Sequence, residues 1–113
     1  MIRGDVYLAV LDPSQGMEQA GTRPVIVVTR DAINKHGPVV VIVPLTSRVT
    51  KGRLLPSHVE IKMGEGGLTA DSVALCEQVR AISITRLTRE LGHLSTTTIS
   101  QLNSALKIAL DLP

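Results

Sequence analysis

Aromatic residues are almost missing from this chain of 113 residues: it has no Phe, no Trp and a single tyrosine, Tyr7. Proteins that hold single-stranded nucleic acid without regard to sequence stack its bases on aromatic rings. That mode is excluded here. Cysteine is nearly absent too, and the lone Cys76 rules out an intrachain disulfide or a multi-cysteine zinc site. Its setting in the apolar run VALC reads as a small buried thiol rather than a nucleophile. No apolar run approaches the ~20 residues that span a bilayer. The opening stretch MIRGDVYLAVLD is broken by Asp5 and lacks a secretion signal's pattern. These features point to a reducing, cytoplasmic setting without membrane contact.

Acidic residues are unevenly missing. The net charge is only +2, yet no Asp or Glu falls between Asp31 and Glu60, while Lys35, Arg48, Lys51 and Arg53 do. A local basic segment of this kind attracts polyanions even when the overall charge is near balance. Read alone, it is equally a solvated loop.

The rest of the composition is ordinary: 43% hydrophobic and 19% charged, with aliphatic residues supplying nearly all the apolar content. The length suits one domain over residues 1–113, with a core of its own. Strands are expected at Asp5–Leu11, Pro24–Arg30, Val39–Thr46, His58–Lys62 and Val73–Arg80, with a short one at Glu90–Leu94. The continuous Val/Ile content of the second predicts burial on both faces. Pro44 requires an edge or bulge near the end of the third. Residues 47–56, SRVTKGRLLP, read as a polar, basic loop, and GEGGLTADS at 64–72 as a glycine-rich turn. A short helix is expected at Ile82–Arg89. A terminal helix is capped by Ser95 or Thr98, with Ile99, Leu102, Leu106, Ala109 and Leu110 along one face and Pro113 at its end. The expected fold is mainly β, α+β in class. It is a small curled antiparallel β-barrel or half-barrel of SH3-like type, with a C-terminal α-helix packed on it.

Metal chemistry is poorly supported. His36, His58 and His93 are far apart in sequence, with no HxxxH or HExxH spacing, so no metal or cofactor is expected. GEGG lacks the Lys-Ser/Thr that follows in a phosphate loop, which leaves a tight hairpin. A Cys76–His58 pair across neighbouring strands is weaker than a core thiol beside a loop-edge imidazole.

Three other stretches carry chemistry. In GMEQAGTRPVIVV, residues 16–28, Gly16 and Gly21 bracket a loop, and a fold-back would set Glu18 against Arg23 as an ion pair. By itself such a surface pair is worth about 0–1 kcal/mol. Arg23, however, directly precedes Pro24 and a buried strand, a rigid base for aiming a guanidinium at a phosphate. PLTSR brings the hydroxyls of Thr46 and Ser47 beside Arg48. CEQVR brings Glu77, Gln78 and Arg80 into one run, Glu77 and Val79 on one face of a strand and Gln78 and Arg80 on the other.

In this order the pieces resemble the MazF/PemK-like toxins of toxin–antitoxin systems. The likeness rests on RGDVY at 3–7, DPSQGMEQAGTRPVIVV at 12–28, VPLTSR at 43–48, LPSHVEI at 55–61 and LCEQVRAI at 75–82. RLT at 86–88 and the terminal helix extend it over nearly the whole chain. The resemblance implies a metal-independent, sequence-specific endoribonuclease acting on single-stranded RNA. It also implies a homodimer with RNA along the dimer groove, and an antitoxin whose acidic, initially disordered segment covers that groove. By the same likeness Arg23 and Thr46 are the principal catalytic positions, Glu18 is the acidic residue of the loop, and Gln78 is the glutamine of the EQ-V-R element. Met17 stands where many relatives carry Ser, which removes a hydroxyl from the loop.

Such cleavage uses the neighbouring 2′-OH as nucleophile and leaves a 2′,3′-cyclic phosphate and a 5′-OH. A guanidinium with pKa above ~12 is a poor base. Arg23 is therefore expected to stabilise the phosphorane, with Thr46 bonding a non-bridging oxygen and Glu18 serving as base or orienter. With a lone tyrosine, base choice falls to hydrogen bonds and shape. The candidate RNA contacts are Gln19, Thr22, Ser47, Arg48, Lys51, Arg53, His58, Gln78 and Arg80. Two other readings stand beside this one: a gyrase-poisoning toxin of the same fold, which has no need of the Arg/Thr pair, and a catalytically silent binding module.

Overall fold

A computed structural model describes residues 1–12, 15–16, 18–47 and 52–113. Its strands are β1 (Asp5–Val10), β2 (Thr22–Val27), β3 (Val39–Ser47), β4 (His58–Ile61), β5 (Ser72–Leu75), β6 (Arg80–Ser83) and β7 (Leu87–His93). A one-turn helix α1 (Asp31–Asn34) joins β2 to β3, and α2 (Thr96–Leu110) closes the chain. The pairing is antiparallel throughout, in the order β4-β5-β3-β2-β1-β7, with β6 also on β3. The mainly β architecture with a terminal helix is as expected. Among the described residues the path of paired strands runs from β4 to β7.

β3 organises the sheet. Its first half pairs with β6 through Ile42, and its second half pairs with β5 from Leu45. Pro44 stands at the changeover, opposite Val25 at the end of the β2–β3 ladder. A residue with no N–H fits where one ladder has stopped and the next has not begun.

The run Val25–Val27 is wholly buried, and its alternate side chains face different cores. Ile26 joins Val6, Val43, Leu45, Ile61 and Leu102 beneath α2, while Val25 and Val27 join Ala9, Leu11, Val40 and Ile42. Burial on both faces is what an unbroken β-branched run encodes.

Two elements differ from expectation. The strand read over 73–80 is interrupted: Cys76–Gln78 forms a 3-10 turn, closed by Val79 N–H on the Cys76 carbonyl at 3.2 Å, and β6 begins afterwards. The alternation assigned to Glu77–Arg80 is lost with it. The helix read over 82–89 is the end of β6, a 3-10 turn at Ile84–Arg86 and the start of β7. There β-branched Ile82, Ile84 and Thr88 follow strand preference, and pairing of Leu87 with Ala9 and of Arg89 with Leu8 settles it.

α2 is capped by Ser95, whose Oγ accepts from Thr98 N at 3.2 Å; Thr98 itself lies inside the helix. It ends where Asp111 turns left-handed (φ 55°) and Leu112 N–H returns to the Lys107 carbonyl at 2.8 Å. The stop is this turn rather than Pro113. Leu102 and Ala105 are buried, whereas Leu110, expected on the packed face, is exposed. The glycine-rich turn also has a structural use: a Cβ on Gly67 would lie 2.0 Å from the Leu91 carbonyl oxygen of β7, so only glycine allows that approach.

The RGD element ties the two ends together. Arg3 Nε donates to the Val28 carbonyl at 2.8 Å, and its Nη2 donates to Asn103 Oδ1 of α2 at 2.7 Å. Buried Asp5 accepts from Ile2 N–H at 2.9 Å and contacts His93 Nδ1 at 2.7 Å. Among the described residues no helix is long and apolar enough to cross a membrane.

Candidate functional site

Two clefts open on either side of the end of β3. The first, about 250 Å³, is walled by Glu18, Gln19, Glu77, Gln78 and Arg80 over a floor that includes Leu11 and Pro44. The second, about 190 Å³, is lined by Thr46, Ser47, Arg53 and His58, with Leu54, Val73 and Leu75 behind them. Residues scattered over the sequence are thus gathered by β3 and by the turn after β5.

Arg23 enters from β2. The β2–β3 ladder ends at Val25–Pro44; Arg23 and Thr46 each lie two residues beyond that last pair, on strands that part there. The guanidinium is steered from its own loop: Nε donates to the Ala20 carbonyl at 2.7 Å. The loop in turn is pinned by Gly21, which accepts from Leu11 N–H at 2.9 Å and donates to Asp12 Oδ1 at 3.0 Å. A φ of 76° at Gly21 makes that double contact possible without strain. Thr22 follows as the exposed first residue of β2.

Glu18 is placed differently from the expected ion pair. Its Oε1 accepts from Gln15 N–H at 3.0 Å, and its Oε2 lies 3.9 Å from Arg80 Nη1, so its cationic neighbour is Arg80 rather than Arg23. That Arg80 nitrogen is a buried atom with no hydrogen-bond partner among the described residues. Gln78 acts as a brace: its Oε1 accepts from Gln19 N–H at 2.9 Å and holds the first loop to the 3-10 turn.

Glu77, which sequence reading noted in CEQVR but did not select, joins the two clefts. Its Oε1 accepts from Ser57 Oγ at 2.9 Å, and Oε2 meets His58 Nε2 at 3.0 Å. His58 Nδ1 accepts from Leu55 N–H at 3.2 Å, which leaves the proton on Nε2 for Glu77. Burial alone would raise the Glu77 carboxyl. Hydrogen bonds from His58, from its own backbone and from Ser57 outweigh that and hold it below its ordinary range. No two-residue period could reveal it, because Glu77 sits in the 3-10 turn Cys76–Gln78.

Cys76 has no part in this. Burial, reinforced by the neighbouring Glu77 charge, pushes its thiol up to about 12. His58 is bonded to Glu77 and not to the thiol. Arg48, Lys51 and Met17 lie outside the described residues. Among the described residues no group of three His, Cys, Asp or Glu side chains is placed to hold a metal ion.

A guanidinium on β2, a threonine hydroxyl on β3 and a partly buried arginine on β6 are residue types suited to a phosphodiester. The family model of the PemK-like, MazF-like toxins of type II toxin–antitoxin systems matches residues 2–110. The chain belongs to this family. Among curated MazF relatives, the endoribonuclease MazF of Staphylococcus saprophyticus is 44% identical over 112 residues, covering 99% of this chain and 92% of that one. A mycobacterial endoribonuclease solved in complex with its cognate antitoxin is 28% identical. It superposes with a TM-score of 0.81, covering 100% of this chain and 97% of that one. MazF of Deinococcus radiodurans, 24% identical with a TM-score of 0.83 over 99% and 97% of the chains, supports the fold alone.

Proposed function

We propose that this chain, acting as one domain, is an endoribonuclease toxin that cleaves single-stranded RNA at a short motif without a metal ion. The observation that supports the reading is that Arg23 and Thr46 each lie two residues past the last β2–β3 pair, with Thr46 lining one of the two polar clefts.

In this reading the scissile phosphate lies between Arg23 and Thr46. Attack by the adjacent 2′-OH on phosphorus breaks the bond to the 5′-oxygen, which takes a proton from solvent water, giving a 2′,3′-cyclic phosphate and a 5′-OH end. Negative charge builds on the non-bridging oxygens. Arg23, steered by Ala20, stabilises it, and the Thr46 hydroxyl bonds one of those oxygens. Because Glu18 faces Arg80 rather than Arg23, its role is to accept the 2′-OH proton rather than to orient the catalytic guanidinium. Arg80 and Arg53 take flanking phosphates; Gln19, Thr22 and Ser47 contact the strand from the loop edges. Arg48 and Lys51 extend the basic path. Gln78 holds the first loop in place, and His58 acts through Glu77.

The same reading includes a homodimer whose groove carries the RNA, and a cognate antitoxin whose acidic, disordered segment occupies the phosphate positions. The deciding experiment incubates purified protein with a long unstructured RNA in EDTA and maps cut positions and end groups, beside Arg23→Ala. Discrete cuts with cyclic phosphate ends, lost in Arg23→Ala, are expected. Cleavage that needs a divalent ion, or that survives in Arg23→Ala, overturns the reading.

A further inference from the structure

The Glu77 carboxylate is an unexpected group for a surface that receives a polyanion. It stands in the wall between the two clefts and faces the one that also holds Glu18 and Arg80. A phosphate would be repelled by it. It is also rigidly aimed, since Ser57 fixes one oxygen and His58 fixes the other, with His58 itself fixed by Leu55 N–H. An ionised carboxylate offers about four lone-pair positions. Three are engaged, by these bonds and by its own backbone N–H, and the side chain is 40% exposed, so acceptor capacity remains for something in the cleft.

In RNA the group that matches a fixed acceptor is a base amino group. Cytosine N4, adenine N6 and guanine N2 are donors on base edges, and unpaired bases present those edges freely. Uracil places a carbonyl oxygen where cytosine has its amino group, and two acceptors repel. The chain has no aromatic platform to select bases by stacking, so a single oriented acceptor carries more of the choice.

We propose that Glu77, oriented by Ser57 and His58, selects an amino-bearing base at one position of the bound RNA and rejects uracil there. Glu77 touches the substrate base; Ser57 and His58 are positioning residues. The proposal rests on the RNA-binding part of the reading above and not on cleavage.

The test therefore begins with binding. Affinities of wild type and Glu77→Gln are measured for 2′-fluoro cytidine and uridine decamers, which lack the nucleophile and stay intact. Gln keeps an acceptor for one partner and presents an NH2 group that suits the uracil carbonyl. The cytidine-to-uridine affinity ratio is expected to move about tenfold towards uridine in Glu77→Gln. An equal ratio in the two proteins, even with weaker binding overall, overturns the proposal and leaves Glu77 a structural brace. Thermal unfolding checks that the variant is folded. If it is not, Ser57→Ala removes one orienting bond and is expected to shift the ratio in the same direction by a smaller factor; no shift there overturns the proposal. A second arm sequences cut ends from a randomised RNA. One position depleted of uracil in wild type, with uracil admitted there in Glu77→Gln, supports the proposal, and identical profiles refute it. Base-dependent binding without cutting would remove the nuclease reading while leaving this one standing.

Discussion

Arg80 Nη1 lies 3.9 Å from Glu18 Oε2, while Arg23 Nε is held by the Ala20 carbonyl at 2.7 Å. The two arginines of the site are therefore separately anchored. Arg80 is partly buried beside a carboxylate in a cleft; Arg23, on β2, is held by the Ala20 carbonyl of the preceding loop. This separation lets their roles be tested one at a time.

Arg23 combines an anchor at Nε with the flat remainder of the guanidinium. Lysine has a single ammonium and cannot hold the Ala20 carbonyl and meet a phosphate in the same geometry. Arg23→Ala and Arg23→Lys are both expected to lower the cleavage rate by about 10²-fold or more, the usual effect of removing a charge-stabilising donor. Single-turnover cleavage of a defined RNA measures this. Near-full activity in Arg23→Lys would remove the case for a fork geometry.

Thr46 is half-buried in β3, where a β-branched residue suits the strand. Thr46→Val preserves that shape and deletes the hydroxyl, so it is expected to cut cleavage about 10²-fold while leaving RNA affinity nearly unchanged. Thr46→Ser restores the hydroxyl and should recover most of the rate. A valine variant with full activity would show that the hydroxyl is not used.

For Arg80 the readout is salt. A cation that neutralises one phosphate of a single strand contributes about 0.7 to the slope of log affinity against log salt. Arg80→Ala should flatten the slope by about that amount. Its loss of the Glu18 pair, on a half-exposed surface, should change stability by no more than about 1 kcal/mol. Fluorescence anisotropy from roughly 50 to 200 mM salt tests the slope. An unchanged slope would place Arg80 away from phosphate.

Cys76 gives a pH prediction. Its folded-state pKa is raised from an ordinary 9.0 to about 12, so folding favours the protonated thiol. That contribution is complete below pH 9 and fades as the pH climbs from 9 towards 12, because the unfolded chain ionises first. Iodoacetamide at neutral pH should leave the folded protein unmodified and label it fully in denaturant. Rapid labelling of the folded chain would contradict a buried, neutral thiol.

Local pattern reached a good part of this molecule. The both-sides burial of Val25–Val27 followed from an uninterrupted β-branched run, and α2 from its spacing and the Ser95 cap. Pro44 announced an interruption, though not that β3 changes partner there. The pattern failed between Cys76 and Arg89. A turn of three residues and a strand of four are shorter than the window in which a period can be recognised. At Ile82–Arg89 the deciding contacts come from β1 and β3, far away in the chain.

By itself the sequence determined the family, the mainly β character with a terminal helix, the inert thiol and the residue types of the candidate site. Its motifs and side-chain chemistry are local properties, and they survive without coordinates. Only the tertiary structure decided that Glu18 faces Arg80 and that Glu77 is clamped between Ser57 and His58. Each of those depends on where a 3-10 turn or a strand end puts a carboxylate in three dimensions, and residues about 20 to 60 apart in the chain meet there.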